Sequence, residues 1–244
     1  MNKELKEKLF RIQSELEELL ENDDENDGER ALPKRSIFRI GLATVQKTIE
    51  AGLIDMFRVG DEIWSDTRND DTTLCWIVIG KNRDGNDSLT LWCVNIQEEK
   101  RLDAPSKAYP YGHALWRDCE LRGWLNHELL DNLVPEDAAA ITPVKRATYA
   151  PDKDGGELIE TDDKLWLLSL SEAGFEGSYV RDEGERYPFF GNDEQRQIGN
   201  WWRLRSAARG SANYTWNVYT SGNAYYNSAN SAYRPAPACV IRKS

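Results

Sequence analysis

The chain has 244 residues, of which 40% are hydrophobic and 30% charged, and its nine tryptophans give it material for a sizeable core. No apolar run approaches the ~20 residues that cross a bilayer, so the sequence predicts no membrane insertion. The net charge of −11 argues against a nucleic-acid partner, because phosphate binding relies on clustered Lys and Arg.

The N-terminal segment 3–22 is rich in Glu, Lys and Leu. Five apolar residues recur in it at spacings of four, three, four and three: Leu5, Leu9, Ile12, Leu16 and Leu19. This stripe is typical of two structures, a short coiled coil that oligomerises the protein or docks it on an assembly, and an amphipathic helix lying on the protein's own body. Both interpretations stay open. The acidic run 21–29 predicts an exposed linker, so residues 1–36 are expected to form a helical, acidic extension.

The next elements alternate between helix and strand. A helix is predicted over 40–51, ending at Gly52, and a strand with a turn inside it over 57–64. Two β-prone runs, 74–79 and 89–94, flank a polar turn and predict an antiparallel hairpin.

Further along, residues 114–133 carry apolar side chains at helical spacing and predict a helix with one buried face. A strand is predicted over 141–148, and the apolar run 164–170 is expected to be a central strand. The polar, Gly-containing stretch 171–200 predicts loops.

The C-terminal region differs in composition from the rest of the chain. Between Ser211 and Tyr233, 16 of 23 residues are Asn, Tyr, Ser or Thr and none is charged. The remaining positions, among them Trp216 and Val218, are small or apolar spacers that could face inward.

These residue types suit a general recognition surface. Tyr offers a large amphipathic contact area with only two χ angles to restrict, and Ser and Asn supply adaptable hydrogen bonds. The alternative is an ordinary polar loop or low-complexity tail. Two flanking segments of core-like composition, Trp201-Trp202 and 234–241, favour the recognition surface, because disordered tails seldom combine so many aromatics with such flanks.

The genetic code gives an independent indication. AAY codons specify Asn, and replacing one adenine in them produces Tyr, Ser or Thr codons. Mutagenesis at adenines in a template rich in Asn codons therefore predicts this composition. Selection for a Tyr/Ser/Asn surface predicts a similar one.

Several segments also carry a family resemblance, which extends from about Gly52 to the C-terminus. They are 115–126 (LWRDCELRGWLN), 164–169 (KLWLLS), 201–206 (WWRLRS), 216–218 (WNV), 222–223 (GN) and 234–236 (RPA). In this order they resemble bacterial and phage proteins of C-type-lectin-like fold, some of which are variable proteins of diversity-generating retroelements. The family often has Leu directly after the Trp pair, where this chain has Arg203.

The resemblance implies an α+β, C-type-lectin-like domain over 37–244, with mixed and antiparallel sheets and two main helices. It implies a variable region at about 201–234, rewritten by a reverse transcriptase that mutates at adenines. The implied framework residues are Trp201, Trp202, Arg205, Gly222, Arg234 and Pro235. The implied display residues, which would bind the ligand, are Asn213, Tyr214, Asn217, Tyr219, Ser221, Asn223, Tyr225, Tyr226, Asn227, Ser228, Asn230, Ser231 and Tyr233.

Catalysis is not expected. Formylglycine-generating enzymes of the same broad fold use paired cysteines near the C-terminus, where this chain has only Cys239. The four cysteines are widely spaced and predicted to be reduced core thiols, and the two histidines, His113 and His127, are expected in helix-surface or capping roles. Acidic clusters at 182–185 and 192–194 offer oxygen ligands for calcium, but solvated loop charge is the commoner explanation, so no metal or cofactor is predicted.

The sequence thus predicts a receptor- or adhesin-like binding protein for an unknown protein or surface ligand. No signal peptide is visible, which predicts synthesis in the cytoplasm. The alternative is a structural phage, virion or tail-associated protein whose C-terminal surface is not diversified.

Overall fold

The computed structural model describes residues 35–68, 72–151 and 156–243. The predicted N-terminal helix and its acidic linker lie outside these ranges. Ser36–Ser244 form one compact unit, in which short helices accompany mostly antiparallel sheets, and this confirms the predicted α+β class. Among the described residues, no helix is both long and apolar enough to cross a membrane.

The largest sheet has seven strands, numbered in chain order. They are Ile37–Phe38 (β1), Glu62–Asp66 (β2), Thr73–Lys81 (β3), Ser88–Cys93 (β4), Ile141–Thr142 (β6), Trp166–Leu167 (β9) and Pro237–Arg242 (β14). Their order is β1-β2-β3-β4-β14-β6, and β9 also pairs with β14. The predicted hairpin is confirmed as β3 and β4, which pair antiparallel. The C-terminal strand β14 is therefore an interior strand of this sheet, between β4 and β6.

A second sheet has five strands. They are Lys100–Arg101 (β5), Trp202–Ala207 (β10), Tyr214–Val218 (β11), Ala224–Ser228 (β12) and Ala232–Pro235 (β13). The order is β12-β11-β10-β13-β5, so β12 and β5 are its edges. A third pair, Val144–Tyr149 (β7) and Leu158–Asp163 (β8), forms a separate hairpin. The five-stranded sheet, called the C-terminal sheet below, contains almost all of the predicted variable region.

The helices are short. They are Gly41–Glu50 (α1), Glu120–Trp124 (α2), a π-helical turn Leu125–Leu129, Leu130–Asn132 (α3) and Pro135–Ala140 (α4). The prediction of α1 is confirmed, including its end before Gly52, which has φ +78°. The helix predicted over 114–133 begins only at Glu120, because residues 116–118 form a 3₁₀ turn. In this turn the indole N–H of Trp116 donates a hydrogen bond to the buried carboxylate of Asp163.

Three predicted strands differ from the structure. The turn predicted inside the strand over 57–64 lies at Gly60, with φ +102°, but the residues before it form no strand, so β2 begins only at Glu62. The strand over 141–148 divides into β6 and β7 on either side of Pro143, which has no N–H for a ladder. The run 164–170 contributes only β9, although its apolar side chains are buried as expected.

The core joins the two large sheets. Trp92 of β4 and Trp202 of β10 are both fully buried, and their ring centroids lie 5.0 Å apart. The indole N–H of Trp92 donates to the carbonyl of Ala236 at 3.1 Å. The four cysteines are buried free thiols, as predicted, and burial raises the pKa of Cys93 and of Cys119 to about 12. The C-terminal sheet therefore lies on a rigid apolar base.

Candidate functional site

The centre of the candidate site is the hairpin of β11 and β12. These strands pair antiparallel in unbroken register, with Tyr214 opposite Ser228, Trp216 opposite Tyr226 and Val218 opposite Ala224. β10 pairs with the other side of β11 and is buried at all six positions, whereas no residue of β12 is buried. Burial thus decreases from the middle of the C-terminal sheet toward its β12 edge.

The turn of this hairpin is fixed to a loop of the framework. Gly222 has φ +82°, and a Cβ at this position would lie 2.1 Å from the carbonyl oxygen of Asp193. The carbonyl of Gly222 accepts a hydrogen bond from Nε of the buried Arg196 at 3.0 Å. Only glycine adopts this positive φ readily and has no Cβ to clash with Asp193, which gives a physical reason for the predicted framework role of Gly222.

Eight aromatic rings form a continuous series of contacts on and around the hairpin. We call this set the aromatic belt, and its members are Tyr179, Trp201, Tyr214, Trp216, Tyr219, Tyr225, Tyr226 and Tyr233. Trp201 stacks on Tyr219 with centroids 3.9 Å apart, and the rings of Tyr225 and Tyr226 lie parallel at 5.2 Å. Each ring restricts its neighbours, so less side-chain freedom remains to be lost when a ligand binds.

The belt is accessible as well as continuous. Tyr225 is 50% exposed, Tyr226 43% and Tyr214 39%. Monomeric proteins seldom leave large apolar rings grouped on their surface without a functional reason. The tyrosine hydroxyl groups make the patch amphipathic, so it is compatible with exposure to water.

The predicted display residues divide into three classes of exposure. The exposed ones are Tyr214, Ser221, Asn223, Tyr225 and Tyr226. The half-buried ones are Asn213, Tyr219, Asn227, Ser228, Asn230, Ser231 and Tyr233. Asn217 alone is fully buried.

The prediction that Asn217 is displayed is therefore wrong, and Trp216, which could have faced inward, is only half-buried. Side chains alternate between the two faces of a strand, and in β11 Thr215 and Asn217 are fully buried while Trp216 is half-buried. The ring of Trp216 stacks on Tyr179 at 4.8 Å and meets Tyr226 edge to face. Trp216 belongs to the surface and Asn217 to the interior, because strand alternation decides which face each residue takes.

No sequence pattern identified Tyr179, which lies in the loop stretch 171–200. It is 40% exposed, and only its contact with Trp216 assigns it to the belt. Trp201, expected as framework, is half-buried and contacts both Tyr219 and Tyr233. Contacts between segments distant in sequence cannot be read from composition.

Arg203 occupies the interior of the C-terminal sheet. It is fully buried and stands opposite Asn217 in the strand register. Its guanidinium donates to the Thr215 hydroxyl and to the Ser231 carbonyl, and it lies 4.9 Å from the ring centroid of Tyr233. It thereby connects β10 to the loop that precedes β13.

No carboxylate among the described residues pairs with Arg203. Burial is the main cause that lowers its pKa to about 10. Within the described part of the chain, its Nε and the Oδ1 of Asn217 are both buried without a hydrogen-bond partner. Buried polar groups without a partner are rare, and these two belong to residues that stand opposite each other in β10 and β11.

Arg205, two positions further along β10, is in a different environment. Its guanidinium makes a bidentate ion pair with the buried Glu172 and donates to Thr148 Oγ1 at 2.9 Å and to the Leu167 carbonyl at 2.8 Å. It also donates to the Glu183 carbonyl at 2.7 Å. This one side chain links β10 to β7, to β9 and to the 171–200 stretch.

The acidic cluster 182–185 contributes to the same network. Glu183 is buried, its carboxylate accepts from the Ser206 hydroxyl and from the backbone N–H of Tyr149, and burial raises its pKa. The explanation of this cluster as solvated loop charge is wrong for Glu183, because that side chain points into the fold. Among the described residues, no group of three or more His, Cys, Asp or Glu is placed to hold a metal ion.

The comparison with protein families finds a match. The family described as Domain of unknown function (DUF6273) matches residues 93–243, which include β14, the whole predicted variable region and the Arg205 network. No curated protein and no solved structure matches the chain.

Proposed function

The chain belongs to the DUF6273 family, and we propose that this member is a receptor- or adhesin-like protein that binds its ligand through the aromatic belt. The observation that carries the proposal is the belt itself, a continuous series of eight rings on and around an exposed hairpin whose neighbouring strand β10 is fully buried. Tyr and Trp dominate the energetically important positions of protein interfaces, because they combine a large contact area with few rotatable bonds.

The electrostatics of the surface agree with this role. Residues 211–233 contain no charged side chain in a chain that is 30% charged. Charged residues are depleted at the centres of protein interfaces because their desolvation is costly. The centre of the surface can therefore be covered by a partner without burying an unpaired charge.

The proposal extends to how the surface arises. The fold is C-type-lectin-like, and the C-terminal sheet is the variable region of a diversity-generating retroelement. The division of roles supports this, since Trp202, Arg205 and Pro235 are buried whereas twelve of the thirteen display positions reach the surface. Adenine substitution in Asn codons then changes the ligand-facing side chains and leaves the supports of the sheet unchanged.

The test of diversification is a comparison of independent clones of this locus. We expect substitutions to be concentrated at the display positions and a near-copy of the region, rich in Asn codons, beside a reverse-transcriptase gene. Clones that are uniform, or that vary equally at exposed positions elsewhere, would contradict this part of the proposal.

The test of binding uses partners selected from a library of displayed single-domain proteins. The triple variant Tyr219→Ala, Tyr225→Ala, Tyr226→Ala is expected to lose most independently selected partners while its Tm stays within a few degrees. The matched control replaces Ile37, Val59 and Leu158 with Ala, because these residues are also large, apolar and exposed but lie outside the belt. Equal losses in the two triple variants would contradict a special role for the belt.

A further inference from the structure

The β12 edge of the C-terminal sheet has backbone groups that no strand in the described part of the chain covers. The bonds from Tyr219 N to Asn223 O and from Ala229 N to Asn213 O show which residues of the hairpin bond across to β11. In an antiparallel ladder, alternate residues direct their backbone N–H and C=O groups toward the neighbouring strand. The backbone groups of Tyr225 and Asn227 therefore point toward β11. Ala224, Tyr226 and Ser228 therefore direct their N–H and C=O groups outward, and among the described residues only Ser231 bonds to one of these groups, the carbonyl of Ser228.

This edge lacks the features that usually protect an edge strand. Natural proteins block exposed edges with Lys, other charges, Pro or bulges, because free edges pair with other chains. β12 has the sequence Ala-Tyr-Tyr-Asn-Ser, contains none of these residues and keeps an unbroken register with β11. The opposite edge, β5, consists of Lys100 and Arg101 and is protected by charge. One edge of the C-terminal sheet, β5, is thus protected by charge, whereas the other edge, β12, is not.

A cavity opens where β12 begins. Its volume is about 330 Å³, and its lining includes Asn223, Ala224 and Tyr179. The charged groups in the lining are the carboxylates of Glu176 and Asp193 and the guanidinium of Arg196, which together leave one negative charge. The Glu176 side chain is 86% exposed, and its contact with Arg186 is long, at 3.8 Å. Arg196 is already committed to Asp193 and to the carbonyl of Gly222.

We infer that β12 receives an extended segment of a partner protein as an additional strand, and that a basic side chain of this segment enters the cavity beside Ala224. The inference rests on the proposed function and specifies how the same surface binds. Strand addition obtains affinity from main-chain hydrogen bonds and specificity from pockets for alternate side chains. The net charge of −11 also attracts a basic segment at long range.

The neighbouring rings determine how such a segment lies. Tyr225 and Tyr226 project from β12 itself, so an added strand passes directly alongside both. Apolar or β-branched side chains on the segment would cover their exposed faces, while its basic residue pairs with Glu176. The occupant is therefore an extended peptide that carries a basic residue, rather than a helix.

The experiment uses the full chain and a displayed library of nine-residue peptides whose central residue is fixed as Arg, Leu or Glu. We expect the Arg sublibrary to be enriched at least tenfold over the Glu sublibrary, and Glu176→Gln to reduce that preference. Selected peptides are then synthesised with a single N-methyl group at each amide in turn. Methylation at every second position should weaken binding at least tenfold, and methylation at the intervening positions should have little effect.

A variant of the protein itself tests the β12 edge by removing one of its hydrogen-bond donors. Ala224→Pro removes one outward N–H without breaking the bonds between β11 and β12, and it should weaken peptide binding at least tenfold, whereas Ala224→Ser should bind as the wild type does. If Ala224→Pro does not fold, the N-methyl series decides alone. Equal enrichment of the three sublibraries, no enrichment, or no alternation in the N-methyl series would overturn the inference.

Two further outcomes separate this inference from other possibilities. A dimer in sedimentation that Ala224→Pro abolishes, with no peptide selected, assigns the edge to a second copy of the chain and overturns the inference. Peptides that bind without N-methyl alternation but are lost in Tyr225→Ala, Tyr226→Ala overturn the edge and leave the proposed function standing. Peptides whose binding changes neither with N-methylation nor with Tyr225→Ala, Tyr226→Ala contradict both the inference and the proposed function.

Discussion

The two large sheets of this protein share a core but differ in what their strands present to the outside. In the seven-stranded sheet, β4 is buried at every position and β3 at seven of nine. In the C-terminal sheet the exposed fraction rises across three strands, from the fully buried β10 to the hairpin edge at β12, where Tyr225 is 50% exposed. A sheet that is buried at its middle strand and aromatic at its hairpin edge separates the residues that stabilise the fold from those proposed to contact a partner. Each prediction below tests that separation.

The largest expected effect comes from the network under β10. Arg205→Met leaves the carboxylate of Glu172, whose side chain is 3% exposed, buried without its cation. Removing one partner of a buried ion pair costs about 3–5 kcal/mol of unfolding free energy. Chemical denaturation measures this change. The control is Arg101→Met, which removes an ion pair with Glu120 whose side chains are both 49% exposed and should change stability by about 1 kcal/mol or less.

The turn of the β11–β12 hairpin comes next. Gly222→Ala forces a side chain into a positive-φ conformation and places its Cβ against the backbone of Asp193. We expect a loss of about 2–3 kcal/mol, from strain and displacement together. Gly210→Ala is the matched control, since that glycine has φ +79° but no atom within 4 Å of the added Cβ. Similar losses in the two variants would show that strain alone, without the contact to Asp193, explains the requirement.

How far the sequence predicted this arrangement depends on the range of the interactions. The β3–β4 hairpin and α1 follow from local patterns and were predicted nearly to their bounds. The composition of 211–233 identified the region but not its faces, because Asn217 was chosen by residue type whereas strand alternation placed it inside. Tyr179 and the Arg205 network depend on contacts between segments dozens of residues apart, which no local pattern encodes.

Asn217 tests the boundary between interior and surface. Asn217→Tyr is a change that adenine substitution would produce, yet it places a large ring at a fully buried position opposite Arg203. Overpacking of this kind costs about 1–3 kcal/mol. The matched change Asn223→Tyr, at an exposed position, should leave the Tm within a few degrees. If both variants are equally stable, the interior of this sheet tolerates diversification and the separation of roles fails.

A smaller effect is expected in the pH dependence of stability. Burial raises the pKa of Glu183 in the folded protein above its ordinary value, and Arg205 and Ser206 oppose this shift only in part. The folded state therefore holds the proton more tightly than the unfolded state. This difference in proton binding stabilises the folded protein fully below the ordinary pKa of Glu183. The stabilisation is lost as the pH rises through the raised pKa of the folded state.

Glu183→Gln isolates this group, because the other buried carboxyls with raised pKa values, Asp61 and Asp137, remain in both proteins. We expect the Tm of the variant minus that of the wild type to increase as the pH is raised from about 4.5, the ordinary pKa of Glu. A difference that does not change with pH would mean that Glu183 titrates alike in the folded and unfolded states.

The smallest effect is predicted at exposed display positions. Tyr225→Ser, Ser221→Asn and Asn223→Ser replace exposed residues with members of the same set, and surface changes of this kind usually alter stability by no more than about 0.5 kcal/mol each. Because Tyr225 contacts Tyr219 and Tyr226, its replacement should have the largest effect of the three. A combined variant that keeps its Tm but exchanges its selected partners would show that recognition changes independently of folding. Loss of several kcal/mol would instead make the belt part of the core, because rings needed for stability cannot be rewritten without unfolding the sheet that carries them.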